Sequence, residues 1–238
     1  MGRKFEVRKQ AMMKTGLQKS KLYSRYGKEI YICAKQGGTN IDANFALKHL
    51  IERARKEDVP NDVIERNIEK AAGGSGEDFT AIRYEGFGPE GCNYIVDTLT
   101  DNVNRTVSEV RACFTKIDSK LGVNGSVEHS YRHQSIVHIT GVSADLALEA
   151  LLDAEIDVED IDEEDDGVII TGEGYDLDKI EAVFRAMNNV SIIDSERGWY
   201  PLETIRLNEE AKSLHETFLT CINALDDVQN VYHNVEDE

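Results

Sequence analysis

The sequence predicts an α+β protein with an N-terminal helical domain followed by two ferredoxin-like α/β domains, one inserted into the other. Three observations predict it. Apolar residues recur at helical spacing as far as residue 73. After the glycine-rich stretch Gly73-Gly74-Ser75-Gly76, which reads as a linker, strand-like runs begin. Charge divides at the same place: residues 1–73 hold 16 Lys+Arg against 9 Asp+Glu, a net +7, while the remainder holds 11 against 36, a net −25.

The helical part begins with Leu22, Tyr26, Ile30 and Cys33, spaced for one helix face between Gly16 and Lys35. Gln36-Gly37-Gly38-Thr39-Asn40 stops that helix. Leu47, Leu50, Ile51 and Ala54 mark a second, broken at Asp58-Val59-Pro60. Pro60 suits the first position of a third helix, where a missing N–H costs nothing; its apolar face is Val63, Ile64, Ile68 and Ala71. The first domain is therefore residues 1–73, basic and helical.

Beyond the linker, Ile82–Glu85 and Cys92–Leu99 read as two strands joined by a glycine-rich turn. Asn104 is placed to cap a helix striped by Val107, Val110, Phe114 and Ile117, and Ser126–Tyr131 again looks like a strand. Residues 134–196 form a pattern of their own. Ile136–Thr140 is a strand, a short helix carries Leu148, Leu151 and Leu152, strands follow at Ile156–Ile161 and Val168–Thr171, a helix carries Leu177, Ile180, Phe184 and Met187, and Val190–Ile193 closes it. That order is βαββαβ. A strand near Tyr200–Leu207, a helix on Ala211, Leu214, Phe218, Ile222 and Leu225, and a strand at Val228–Tyr232 would complete a second such set. Its residues, 77–133 with 197–238, flank the inserted one.

Hydrophobic residues at 40% and charged residues at 30% suit a folded chain rather than a disordered one. No apolar run approaches the roughly 20 residues that span a bilayer, and MGRKFEVRKQ lacks a signal-peptide core. These features place the chain in the cytoplasm. Cys33, Cys92, Cys113 and Cys221 are far apart in sequence, with no Cys-x-x-Cys, and read as small buried hydrophobes.

Two motifs are decoys. Gly86-Phe87-Gly88-Pro89-Glu90-Gly91 spells a dinucleotide loop, but a strand rather than a helix follows, so a hairpin turn is expected. Asp162 to Glu173 spaces its oxygens like an EF-hand, yet Val168–Thr171 continues as a strand and Gly172 and Gly174 would break an exiting helix. His129, His133 and His138 lack a further zinc ligand. No catalytic constellation, metal site or cofactor site is expected, and the chain reads as a binding protein rather than an enzyme.

Tyr84–Pro89, Thr100–Thr106, Glu109–Arg111, Leu121–Val127 and Asp226–Asn234 resemble, in order, the YebC/PmpR family. Ile30-Tyr31 followed by Ala34–Gly37 is nearest its YeeN-like branch. The resemblance implies a helical domain and two α/β domains, one interrupting the other. It also implies a role in gene expression: bacterial members are described as DNA-binding transcriptional regulators, others are ribosome-associated, and mitochondrial relatives activate translation of cytochrome oxidase. Where the family begins Gly-His-Ser-Lys-Trp, this chain has Gly2-Arg3-Lys4-Phe5, so roles of that His and Trp do not carry over.

The leading expectation is a translation factor contacting ribosomal RNA. Arg3, Lys4, Arg8, Lys9, Lys14, Lys19, Lys21, Arg25 and Lys28 would neutralise phosphates and Phe5 would stack on a base. Asn102, Asn104 and Arg105, before a helix N-terminus, form a second candidate contact. The alternative is a DNA-binding transcriptional regulator using the three-helix head. The acidic body is left for a protein partner.

Overall fold

The computed structural model describes residues 16–73 and 78–236, and its elements give the expected α+β class with a helical head. The head comprises α1 (Gly16–Gly37), α2 (Phe45–Lys56) and α3 (Asn61–Ala72). Tyr26, Ile30 and Ala34 of α1 close on Leu47, Ile51 and Ala54 of α2 and Ile64 of α3. Each large side chain so buried stabilises the head by about 1.5–3 kcal/mol. Asn44 caps α2, its Oδ1 accepting from Leu47 N at 3.1 Å, while its Nδ2 donates to the carbonyls of Cys33 and Gly38 and so pins the end of α1. Pro60 stands just outside α3, as its cap residue, rather than at the first helical position.

In the body, β1 (Thr80–Phe87) and β2 (Asn93–Thr100) pair antiparallel from Thr80↔Thr100 to Phe87↔Asn93. The Gly86–Gly91 stretch turns between them. β7 (Val228–His233) pairs with the other edge of β2, giving the order β1-β2-β7. Helices α4 (Val103–Thr115) and α7 (Glu209–Asn223) pack Val110, Phe114, Phe218 and Ile222 against Tyr94 and Val96 of this sheet. Alternation along β2 sends Ile95 to the opposite face, where it meets Val127, Tyr131 and Trp199. The cap of α4 is Asn102, not Asn104: Asn102 Oδ1 accepts from Arg105 N at 3.1 Å.

This sheet has three strands where the sequence pattern suggests five, and two of the four that the βαββαβ reading requires are missing. Of Ser126–Tyr131 only Tyr131 is in a strand, because the backbone before it wraps a buried carboxylate. Glu85 accepts hydrogen bonds from the N–H groups of Gly125, Val127 and Glu128 at 2.6, 2.7 and 3.0 Å. Burial pushes the Glu85 carboxyl up, but those three donors and Arg83 outweigh it and hold the group below its ordinary range. Tyr200 pairs elsewhere, and residues 202–207 contribute a single bridge, Ile205↔Val235.

The inserted unit follows the expected order: β3 (Tyr131–Thr140), α5 (Ala144–Asp153), β4 (Val158–Glu164), β5 (Gly167–Glu173), α6 (Leu177–Ala186) and β6 (Ser191–Pro201). Its strands lie β4-β5-β3-β6 with every neighbour antiparallel. Val137, Ile139, Val168 and Ile170 meet Ala147 and Leu151 of α5 and Leu177, Ile180 and Phe184 of α6. The acidic run that mimics an EF-hand is the β4–β5 hairpin. On edge strand β4, Glu159, Asp160, Asp162 and Glu163 are exposed, a charge pattern that discourages pairing with another chain. β3 and β6 start pairing at Tyr131↔Pro201, before β3 meets β5, so the insert stands on a two-stranded ribbon. Among the described residues no helix is long and apolar enough to cross a membrane.

Candidate nucleic-acid interface

Of the cations expected to meet phosphate, Arg3, Lys4, Arg8, Lys9 and Lys14, with Phe5, lie outside the described residues. Lys19 is exposed on α1. The other three are directed at protein. Lys21 donates to the carbonyl of Asn223 at the end of α7, and burial pushes its ammonium down to about 8 despite the nearby Asp226. Arg25 faces Glu57 at 3.8 Å, with its side chain 15% exposed. Lys28 donates to the carbonyls of Leu99 and Asp226 and lies 2.9 Å from Asp227 Oδ1.

Asp227 is the centre of this junction. Its buried carboxylate also accepts from Arg105 at 2.7 Å, Thr106 at 2.8 Å and Thr100 at 2.9 Å. Burial alone would raise its pKa; Arg105, Lys28, Thr106 and Thr100 overcome that and hold it far below the carboxylate range. The two candidate contacts, the basic helix and the loop before α4, thus converge on one carboxylate. Arg105 pairs with Asp101 as well, at 2.7 Å. Asn102 and Asn104 remain exposed, although Asn102 Oδ1 serves as the helix cap. What this arrangement does chemically is fasten the head to the body.

A further basic surface, on α2, was not among the sequence-based candidates. Phe45, Lys48, Arg55 and Lys56 are all exposed, Phe45 to 72%. At 3.6 residues per turn these four positions fall within an arc of about 100°, so an aromatic ring and three cations share one solvent face. Glu52 lies within that arc but is held by Arg185 of α6 at 3.1 Å. His49 leans the same way, 3.6 Å from Glu181. The buried stripe of this helix, Leu47, Ile51 and Ala54, was legible in the sequence; the cations on the face opposite it were not singled out. α3 offers a poorer surface, since its exposed residues include Asp62, Glu65 and Glu69 beside Arg66 and Lys70.

Two further features of the body escaped the sequence. Cys113 and Cys221, read as separate buried hydrophobes, are joined as a disulfide between α4 and α7; 108 residues of separation left no local sign of it. Cys92 and Cys33 are free. His215, buried on α7, stands 2.8 Å from the Tyr94 hydroxyl and stacks on its ring; burial and His233 push its imidazole down to about 4.

Fold and surface together define an α+β protein in which a helical head is clamped to one α/β unit that carries another inside it. Comparison with known proteins gives the family. Residues 3–74 match the model of the TACO1/YebC protein N-terminal domain, and residues 79–235 match that of the TACO1/YebC second and third domain. The chain belongs to the TACO1/YebC family. It is 48% identical to a probable transcriptional regulatory protein of Alteromonas mediterranea over 98% of both chains. It is 46% identical to another of that name in Idiomarina loihiensis, over 99% of this chain and all of that one. Among solved structures, a conserved hypothetical protein of Aquifex aeolicus superposes with a TM-score of 0.73 at 33% identity, covering 94% of this chain and 92% of the other.

Proposed function

We propose that this chain is a non-enzymatic, cytoplasmic regulator of gene expression that binds nucleic acid through residues 1–73, with duplex DNA as its target. The observation that carries the binding role is the exposed face of α2, with Phe45 and Lys48 at one end and Arg55 and Lys56 at the other. Cations so placed neutralise phosphates flanking a groove, and the basic segment before α1 would extend the contact. The names of the bacterial relatives, probable transcriptional regulatory proteins, support DNA over RNA. The acidic body is left for a protein partner.

A second reading, contact with ribosomal RNA, is favoured by Phe45. A ring 72% exposed can stack on an unpaired base, which a closed duplex does not offer. Fluorescence anisotropy with labelled duplex DNA and single-stranded RNA across a salt series tests both. Salt-dependent binding to duplex, weakened by substituting α2 cations, supports the main reading. Preference for unpaired RNA, abolished in Phe45→Ala, moves the assignment to the second; no binding to either ends both.

A further inference from the structure

We propose that Cys221 is a peroxide-reactive thiol and Cys113 its resolving partner, a reversible oxidation site in the body. The two cysteines differ in the way such a pair requires. Cys221 is half-buried on α7 and borders a surface recess of about 410 Å³ lined also by Lys116, Ser213, Glu216, Thr217 and Thr220. Cys113 is 1% exposed, set in the core beside Phe114, Phe218 and Ile222. With the disulfide closed, Lys116 Nζ lies 3.2 Å from Cys221 Sγ, and on reduction it is the cation at hand for that sulfur. An ammonium at that distance favours the thiolate, the form that attacks a peroxide. Glu216 shares the recess and opposes this in part, but Lys116 is the group in contact with sulfur. The free cysteines lack such help: Cys92 is buried and its thiol pushed up to about 11, and burial raises Cys33 as well.

The oxidant is a hydroperoxide, small and polar enough for the recess. The Cys221 thiolate attacks one peroxide oxygen; an S–O bond forms, the O–O bond breaks, and the departing alkoxide or hydroxide takes a proton from water. The thiolate has given up two electrons and the peroxide has gained them, leaving a sulfenic acid. Cys113, giving up its proton, attacks that sulfur; the S–S bond forms, the S–O bond breaks, and the hydroxide leaves as water. A dithiol reductant reverses the pair. The Cα–Cα distance of 5.7 Å is ordinary for a disulfide. Asn223, whose carbonyl receives Lys21 of the head, lies two residues beyond Cys221, so oxidation ties that docking point to α4.

The test is thiol counting on the full chain by alkylation and mass spectrometry. Alkylated under denaturing conditions, reduced protein should show four modified cysteines, and protein first treated in its folded state with one equivalent of hydrogen peroxide only two, with a Cys113–Cys221 linked peptide. In Cys113→Ser, dimedone should mark residue 221, and in Lys116→Met oxidation should slow about tenfold at neutral pH. Four alkylated thiols after peroxide would overturn the proposal. So would a pair that resists dithiothreitol in the folded protein, or a dimedone mark on Cys33 or Cys92 in place of Cys221. Oxidation of Lys116→Met at the wild-type rate would remove Lys116 from the site. Should Cys113→Ser fail to fold, the wild-type count decides.

Discussion

Helices α1 and α2 of the head are both basic, yet their cations are used in opposite ways. α1 turns Lys21 and Lys28 onto α7, the end of β2 and Asp227, and Arg25 onto Glu57. α2 keeps Lys48, Arg55 and Lys56 in solvent around an exposed phenylalanine. The difference teaches that charge density in a sequence marks a surface for carboxylates as readily as one for phosphates. The packing of the helix decides which.

The comparison breaks most visibly at Asp227. Asp227→Asn leaves Lys28 and Arg105 without their buried counter-charge and should cost about 3 kcal/mol, read by urea denaturation. It should leave the salt dependence of DNA binding unchanged; a flattened salt slope with intact stability would reverse the roles of the two helices.

Acid should weaken the body, and with it the anchor of α1, in two stages. His215 has a folded pKa of about 4 against an unfolded value near 6.5, so the unfolded state binds more protons between them. Stability should fall by up to about 3 kcal/mol as pH drops through that window, and His215→Gln should flatten the slope. Asp227 is depressed, so its contribution is full above about pH 4 and fades as pH falls further. A denaturation series from pH 7 to 3 checks both stages.

Substituting Lys48, Arg55 and Lys56 together by Ala should lower the slope of log affinity against log salt by up to about 2.7 on duplex DNA, about 0.9 for each phosphate no longer neutralised. Stability should change little, because the three side chains are exposed. The smallest effect belongs to Phe45→Ala, which should weaken binding to unpaired bases by about 1 kcal/mol, roughly fivefold, and binding to duplex by less. An equal weakening on both would mean that Phe45 supports the helix rather than stacks.

The hydrophobic periods gave away the three head helices, the insert and the β1–β2 hairpin, because each is a local pattern. The outer sheet was overcounted by two strands for reasons no local pattern holds: Glu85 gathers the backbone of residues 125–128 from forty residues away, and residues 202–207 add only the bridge Ile205↔Val235. For the same reason the candidate site was half legible. Lys28 and Arg105 could be recognised as cations, but their meeting at Asp227 depends on contacts 199 and 122 residues apart along the chain. The buried stripe of α2 was legible, but cations are densest in and before α1, and nothing local tells that the fold turns Lys21, Arg25 and Lys28 inward and leaves the face of α2 as the open one.

The two-stranded ribbon that carries the insert has a bearing on how such a chain could have arisen. Thr140 and Ser191 sit opposite one another at its far end, so the 50 residues between them begin and finish at neighbouring points. To the outer core the whole insert is an unusually long hairpin turn, and lengthening a turn costs only about 0.6 kcal/mol per doubling. A simple hairpin could therefore have grown into a four-stranded unit, or shrink back again, while Tyr131 and Trp199 at the ribbon's base kept their places against Ile95.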